Sequence, residues 1–108
     1  MIMMSESLAF EGFLGGCLHQ DWELDAEGGD EMSLVRQFGA EGRLGRVFEG
    51  IGQIVVLEAL RLSDVELENW LIRHGSYFVP TGSGAARSWL VQVREALVTL
   101  AAARMGRD

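Results

Sequence analysis

LSDVELENWLIRHG, residues Leu62–Gly75, contains both the start and the stop signals of one helix. Ser63 can accept a backbone hydrogen bond at the helix start, and Glu66 follows three residues later, as a capping box requires. Gly75 can adopt the left-handed backbone conformation that commonly closes a helix. The stretch therefore predicts a helix from Ser63 to about His74.

Apolar residues at a spacing of three and four predict further helices on both sides of this one. Asp30 can cap the second helix, and an alanine-rich tail favours the last. The run Ile54–Leu57 is also compatible with a short strand, because β-branched residues favour strands. The predicted helices run from about Ser5 to Leu18, from Asp30 to Gly39, from Leu44 to Glu58 and from about Ala85 to Arg104.

These segments together predict an all-α fold, with a single domain of about five helices over residues 1–108. Their apolar stripes are expected to meet in one core. Gly15 and Gly16 lie inside the first helix, where each glycine costs about 1 kcal/mol relative to alanine. Either another backbone packs closely against this point or the helix bends there.

Two connections lack the apolar stripe of a helix. Asp21–Asp30 is acidic and contains Gly28 and Gly29, so it is predicted to be a loop. Ser76–Gly84 is rich in aromatic residues, and Pro80 disfavours helix at the residue before it. These two loops are the places where side chains are free to serve something other than the core.

Composition and the chain start indicate a soluble cytoplasmic protein. Apolar residues make up 48% of the chain, but no apolar run approaches the roughly 20 residues that a bilayer requires. Residues 1–6 have no basic region and no cleavage site of the kind found in a signal peptide. The single Cys17 cannot form an internal disulfide, so nothing favours an oxidising compartment.

Negative charge is concentrated at the N-terminal side of the sequence. The net charge of the chain is −7, and the first 41 residues hold nine acidic residues against Arg36, a balance of 1 − 9 = −8. Nucleic acids and anionic membranes require a basic surface, so direct binding to either is not expected. A basic protein is the more plausible partner.

Cys17, His19 and Asp21 have the residue types of a nucleophilic triad. Residues two apart on a helix point to different faces, which argues against this reading. Cys17 also belongs to the apolar stripe, where burial raises the pKa of a thiol and makes it less reactive. A small hydrolase is therefore the weaker functional hypothesis.

No metal or cofactor is predicted. A zinc site needs about four ligands, and besides carboxylates the chain offers only Cys17, His19 and His74. Residues 21–27 alternate acidic side chains somewhat as calcium ligands do. They lack the glycine of the sharp turn and the glutamate that closes such a loop.

The chain contains, in this order, the strings FLGGCLHQDWELD, LSDVELENWLIRHGSYFVP and SWLVQVREAL, and together they resemble the immunity proteins of contact-dependent growth inhibition systems. FLGGCLHQDWELD, Phe13–Asp25, resembles the opening helix of that family and its His-Gln-Asp element. LSDVELENWLIRHGSYFVP, Leu62–Pro80, and SWLVQVREAL, Ser88–Leu97, are similar to its later helix, its aromatic-proline turn and its closing helix. The glycine-rich segment Gly39–Gly52 departs from the family's helix-forming middle.

The resemblance implies a non-enzymatic protein that binds one cognate toxin domain and blocks its active site or substrate path. Many such toxins are nucleases, whose substrate channel must be basic, and an acidic loop can occupy that channel as a phosphate mimic. His19, Gln20 and Asp21 are then expected to fix the turn after the first helix, with Asp21 accepting backbone hydrogen bonds and His19 or Gln20 reaching neighbouring chain.

Under the same reading, the partner is contacted by the acidic loop and by the aromatic loop. The expected contact residues are Trp22, Glu23, Asp25, Glu27, Asp30, Glu31, Tyr77 and Phe78. An acidic helical adaptor that binds another basic protein would use the same acidic loop, and it is the alternative function.

Overall fold

In a computed structural model, residues 9–106 are described and form an arrangement of helices without strands. The all-α prediction is confirmed. The start of the first predicted helix at Ser5 lies outside the described residues. The α-helices are α1 (Ala9–Cys17), α2 (Trp22–Asp25), α3 (Glu31–Glu41), α4 (Leu44–Ala59), α5 (Asp64–Arg73) and α6 (Ala85–Met105), with a 3₁₀ turn at Glu27–Gly29.

The C-terminal helix α6 is the centre of the core. Its buried face consists of Leu90, Val93, Leu97 and Ala101 together with residues at its start, and it packs mainly against α3 and α4. Full burial of one leucine contributes about 1.5–3 kcal/mol relative to exposure. No helix within residues 9–106 is both long enough and apolar enough to cross a membrane.

Helix α5 begins and ends as its sequence predicts. The Ser63 hydroxyl accepts from the Glu66 backbone N–H at 3.1 Å, and the Glu66 carboxylate accepts from the Ser63 N–H at 2.9 Å. His74 ends the helix, and Gly75 has the left-handed φ of 93°. The capping box and the glycine stop are therefore both confirmed.

Gly15 lies where the ends of α1 and α5 meet. A β-carbon on Gly75 would lie 3.1 Å from the Gly15 Cα, and one on Gly15 would lie 3.7 Å from the His74 carbonyl oxygen. The two backbones thus approach at a distance that larger residues would obstruct. Close backbone packing is therefore the correct expectation at Gly15, whereas a β-carbon on Gly16 would meet no atom within 4 Å.

Helix α3 does not stop at Gly39, as the sequence analysis expected, but continues to Glu41. Gly39 is buried against α6: a β-carbon there would lie 2.8 Å from Leu100 Cδ1 and 3.1 Å from Leu97 Cδ2. Arg104 of α6 also donates to the Gly39 carbonyl oxygen at 2.8 Å. The glycine permits close helix packing and does not terminate the helix.

Helix α4 is continuous from Leu44 to Ala59, so the strand alternative for residues 54–57 is wrong. Its buried residues Val47, Ile54 and Leu57 recur at helical spacing and face the core. Burial of that stripe offsets the low helix propensity of the glycines in this segment.

Candidate functional site

The segment Leu18–Asp30 joins α1 to α3 and is called the acidic connection below. It is more ordered than the predicted loop: Trp22–Asp25 forms one helical turn, and Glu27–Gly29 forms a 3₁₀ turn. Gly28 and Gly29 have positive φ values of 63° and 73°, which larger side chains rarely adopt. The acidic side chains are therefore held on a defined backbone.

His19 holds the start of the acidic connection through both of its ring nitrogens. Its Nδ1 accepts a hydrogen bond from the Asp21 backbone N–H at 3.1 Å, and its Nε2 lies 3.0 Å from Asp25 Oδ2. These contacts require the tautomer in which Nε2 carries the proton and donates it to the carboxylate. His19 reaches along the chain as expected, and it links the end of α1 to α2.

The Asp21 carboxylate does less than the sequence analysis expected. Asp21 occupies the N-cap position of α2, but its carboxylate makes no capping hydrogen bond. Only its backbone carbonyl accepts, from Leu24 N–H at 3.0 Å. Gln20 is exposed. The ring of His19 supplies the acceptor that Asp21 was predicted to supply.

These contacts do not activate Cys17 as a nucleophile. Burial raises the pKa of the half-buried Cys17 thiol, and the nearby Asp25 carboxylate raises it further. Because both nitrogens of His19 have other partners, its ring is not free to accept the thiol proton. Within residues 9–106, no three His, Cys, Asp or Glu side chains are grouped as metal ligands.

The aromatic loop packs directly against the acidic connection. Tyr77 donates its backbone N–H to the Leu18 carbonyl oxygen at 2.7 Å. The ring of Trp22 meets Phe78 edge-on at 5.4 Å between centroids, and Phe78 also contacts Trp89 at 5.3 Å. Trp22 and Phe78 are half-buried supports, whereas the Tyr77 side chain is 65% exposed.

The predicted acidic contact residues fall into two groups. Glu31 accepts a hydrogen bond from the buried Trp89 indole at 3.1 Å, and Asp30 caps α3 through Met32 N–H at 3.0 Å. Asp30 also pairs with an arginine of α3, and Asp25 is held by His19. Glu23 and Glu27 are exposed and form no ion pair within the described part of the chain.

Leu24 is a surface residue that the sequence analysis missed. It lies on α2 between Glu23 and Asp25 and is 85% exposed, more than any other large apolar side chain of the described residues. A signal was present: the residues three and four away on either side of Leu24 are all polar or glycine. It therefore belongs to no apolar stripe, and burial in the core was not to be expected.

Fold, charge and surface define the class first: this is a small acidic helical protein whose polar connection displays an exposed apolar residue. The family model of the CdiI immunity proteins matches residues 7–97, and the chain belongs to this family. The resemblance noted in the sequence is thereby confirmed, and the family assignment implies neutralisation of a contact-dependent growth inhibition toxin. No curated protein and no solved structure matches the chain.

Proposed function

We propose that this protein neutralises its cognate toxin domain in the cytoplasm by binding it through the acidic connection. The observation that carries the proposal is Leu24, 85% exposed, flanked by the unpaired carboxylates of Glu23 and Glu27. A partner pocket that covers Leu24 removes an apolar side chain from water, while the neighbouring carboxylates attract basic residues of that partner. Tyr77, on the adjacent aromatic loop, has an exposed ring and is the second anchor in this proposal.

The apolar side chain of Leu24 and the carboxylates of Glu23 and Glu27 contribute to binding in different ways. Burial of Leu24 in a partner pocket contributes about 1.5–3 kcal/mol of transfer free energy. The unpaired carboxylates attract a basic partner over longer distances and therefore act mainly on the association rate. Trp22, Phe78, Asp30 and Glu31 act indirectly in this proposal, because each supports the backbone or the core.

The partner is proposed to be a basic nuclease domain. A nuclease must hold phosphates, and carboxylates on a fixed backbone can occupy such a channel and exclude the substrate. The protein itself contributes no chemistry in this proposal, since the thiol of Cys17 is held in its protonated form. Neutralisation then follows from occupancy of the toxin surface alone.

The test begins with co-expression of this protein and its tagged cognate toxin domain. We expect a stoichiometric complex and restored growth. Replacement of Leu24→Ala should weaken the Kd about tenfold to hundredfold, as measured by calorimetry or interferometry. Val65→Ala is the matched control, because Val65 is also exposed but lies on α5, and its Kd should stay within about twofold.

A second pair of variants tests the charges. Glu23→Lys with Glu27→Lys should slow association and reduce its salt dependence. Glu49→Lys with Glu95→Lys changes the net charge by the same amount on α4 and α6 and should slow association less. Equal effects of the two pairs would mean that only net charge matters and would remove the acidic connection from the interface.

The outcomes separate the proposal from its alternative. A complex whose Kd is unaffected by Leu24→Ala would keep the immunity function and reject this surface. Absence of both the complex and the growth rescue would reject toxin neutralisation and favour the adaptor function.

A further inference from the structure

We infer that the cavity beside Cys17 receives an arginine side chain of the toxin domain. This inference rests on the proposed function and identifies one contact within it. The cavity has a volume of about 580 Å³ and lies between the end of α1, Asp25 and the C-terminal half of α3. It is called the Cys17 cavity below.

The charged residues that line the Cys17 cavity are both acidic. Asp25 and Glu41 contribute carboxylates from α2 and from the last residue of α3, and no basic residue is among the lining residues. Asp25 uses one oxygen to accept from His19, and Glu41 accepts from Gln37 at 3.4 Å. Each carboxylate keeps further lone pairs for a donor from outside.

The remaining lining is largely apolar. Cys17, Leu34 and Phe38 contribute surface beside the two carboxylates, and Leu34 is buried in the core. Gly16 also borders the cavity, and a β-carbon there would meet no atom within 4 Å. The cavity is open to solvent and presents apolar walls, an aromatic ring and negative charge together.

This combination matches arginine better than lysine. The aliphatic stem of arginine can lie along apolar surface while its charged end meets carboxylates. Its planar guanidinium stacks on aromatic rings, forks between carboxylate oxygens and loses weakly held water at little cost. The ammonium of lysine is more strongly hydrated, and because it is not planar it cannot stack on the ring of Phe38.

Cys17 gives a readout of this cavity because it is the single cysteine of the chain. In the free protein, a cationic methanethiosulfonate should modify Cys17 about tenfold faster than an anionic one. Glu41→Gln should reduce that ratio. Glu49→Gln should leave it unchanged, because Glu49 lines a different cavity beside Trp70. An equal ratio in both variants would overturn the assignment of negative potential to this cavity.

Complex formation supplies the second readout. When the toxin domain is bound, Cys17 should be modified at least tenfold more slowly than in the free protein. A stoichiometric complex in which the rate is unchanged would overturn this inference while leaving the proposed function intact. Failure to form any complex would overturn both.

A double-mutant cycle identifies the occupant. Glu41→Gln should weaken the Kd at least tenfold, with the melting temperature unchanged and Glu49→Gln within about twofold. Each arginine and each lysine of the toxin is then replaced by methionine, and one arginine replacement should lose its effect in the presence of Glu41→Gln. Additive effects for every arginine, or coupling only to a lysine, would overturn the assignment to arginine.

Discussion

The helical body, which consists of α1, α3, α4, α5 and α6, differs from the acidic connection in how many of its side chains are buried. The inner face of α6 is buried, and α3, α4 and α5 pack against it. In the acidic connection only Leu18 and Ala26 are buried, and Leu24 points an apolar side chain into solvent. Under the proposed function, stability and recognition are thus located in different parts of the chain.

The two regions also differ in what holds them. The body depends on long-range helix packing. The connection depends mainly on hydrogen bonds that His19 and Asp30 make within a few residues, together with one longer-range bond from the Tyr77 N–H to the Leu18 carbonyl oxygen. Substitutions should therefore change either the free energy of unfolding or toxin affinity, and seldom both. Four experiments test this separation.

The largest effect is expected from Leu97→Ala in the body. Leu97 is 1% exposed on the buried face of α6, so the truncation removes contacts and leaves a cavity. The free energy of unfolding should fall by about 2–5 kcal/mol in urea titrations. The neighbouring Val98→Ala is the control, since Val98 is 45% exposed. Toxin affinity of the folded Leu97→Ala protein should be unchanged; a weakened Kd would contradict the separation.

Glu31→Ala should behave as a body substitution although Glu31 was predicted to contact the partner. It removes the acceptor of the buried Trp89 indole N–H and should cost about 1–3 kcal/mol of stability. Glu27→Ala in the acidic connection should change stability by less than about 0.5 kcal/mol. If Glu31→Ala weakens toxin binding more than Glu27→Ala does, Glu31 belongs to the interface after all.

Ser63→Ala tests the helix whose limits are read most directly from the sequence. Loss of the Ser63 hydroxyl leaves the Glu66 N–H without its capping partner and should lower stability by about 1 kcal/mol. Ser88→Ala, at an exposed position inside α6, provides the comparison. A stability change no larger than that of Ser88→Ala would mean that the capping box contributes little here.

The smallest effect on the fold is expected from the titration of Cys17. Burial and Asp25 raise its pKa, so less thiolate is present in the folded chain than in the unfolded chain at the same pH. The pH profile of iodoacetamide alkylation should therefore have its midpoint higher in the native protein than in urea. A native midpoint below the unfolded one would indicate an activated thiol and would revive the hydrolase hypothesis.

Local signals explain which parts of the fold could be predicted. The limits of α5 depend on neighbours within a few residues, such as Ser63 with Glu66, and these are visible in the sequence. Glycine commonly follows the last residue of a helix, so the sequence around Gly39 indicates a helix end. In the structure Gly39 packs against Leu100, which lies about 60 positions further along the chain. The end of α3 was therefore misplaced for a tertiary reason.

The candidate site was predictable in location but not in detail. The acidic composition identified the connection, because charge without a stripe indicates a segment outside the core. The one-turn helix α2 depends on the ring contacts of His19, and the assignment of Glu31 depends on Trp89. Neither contact follows from spacing, so sequence alone could not separate supporting carboxylates from free ones.

The hydrogen bond from Tyr77 to Leu18 and the cap by Asp30 fix the two ends of the acidic connection. Between Leu18 and Asp30 the one buried residue is Ala26, so this part of the connection contributes little to the core. Under the proposed function, the exposed residues between these two hydrogen bonds can therefore be exchanged between related proteins while Trp22 and Ala26 keep their contacts with the core. Substitution there can change which partner is recognised without requiring a new fold, so specificity can diverge faster than architecture.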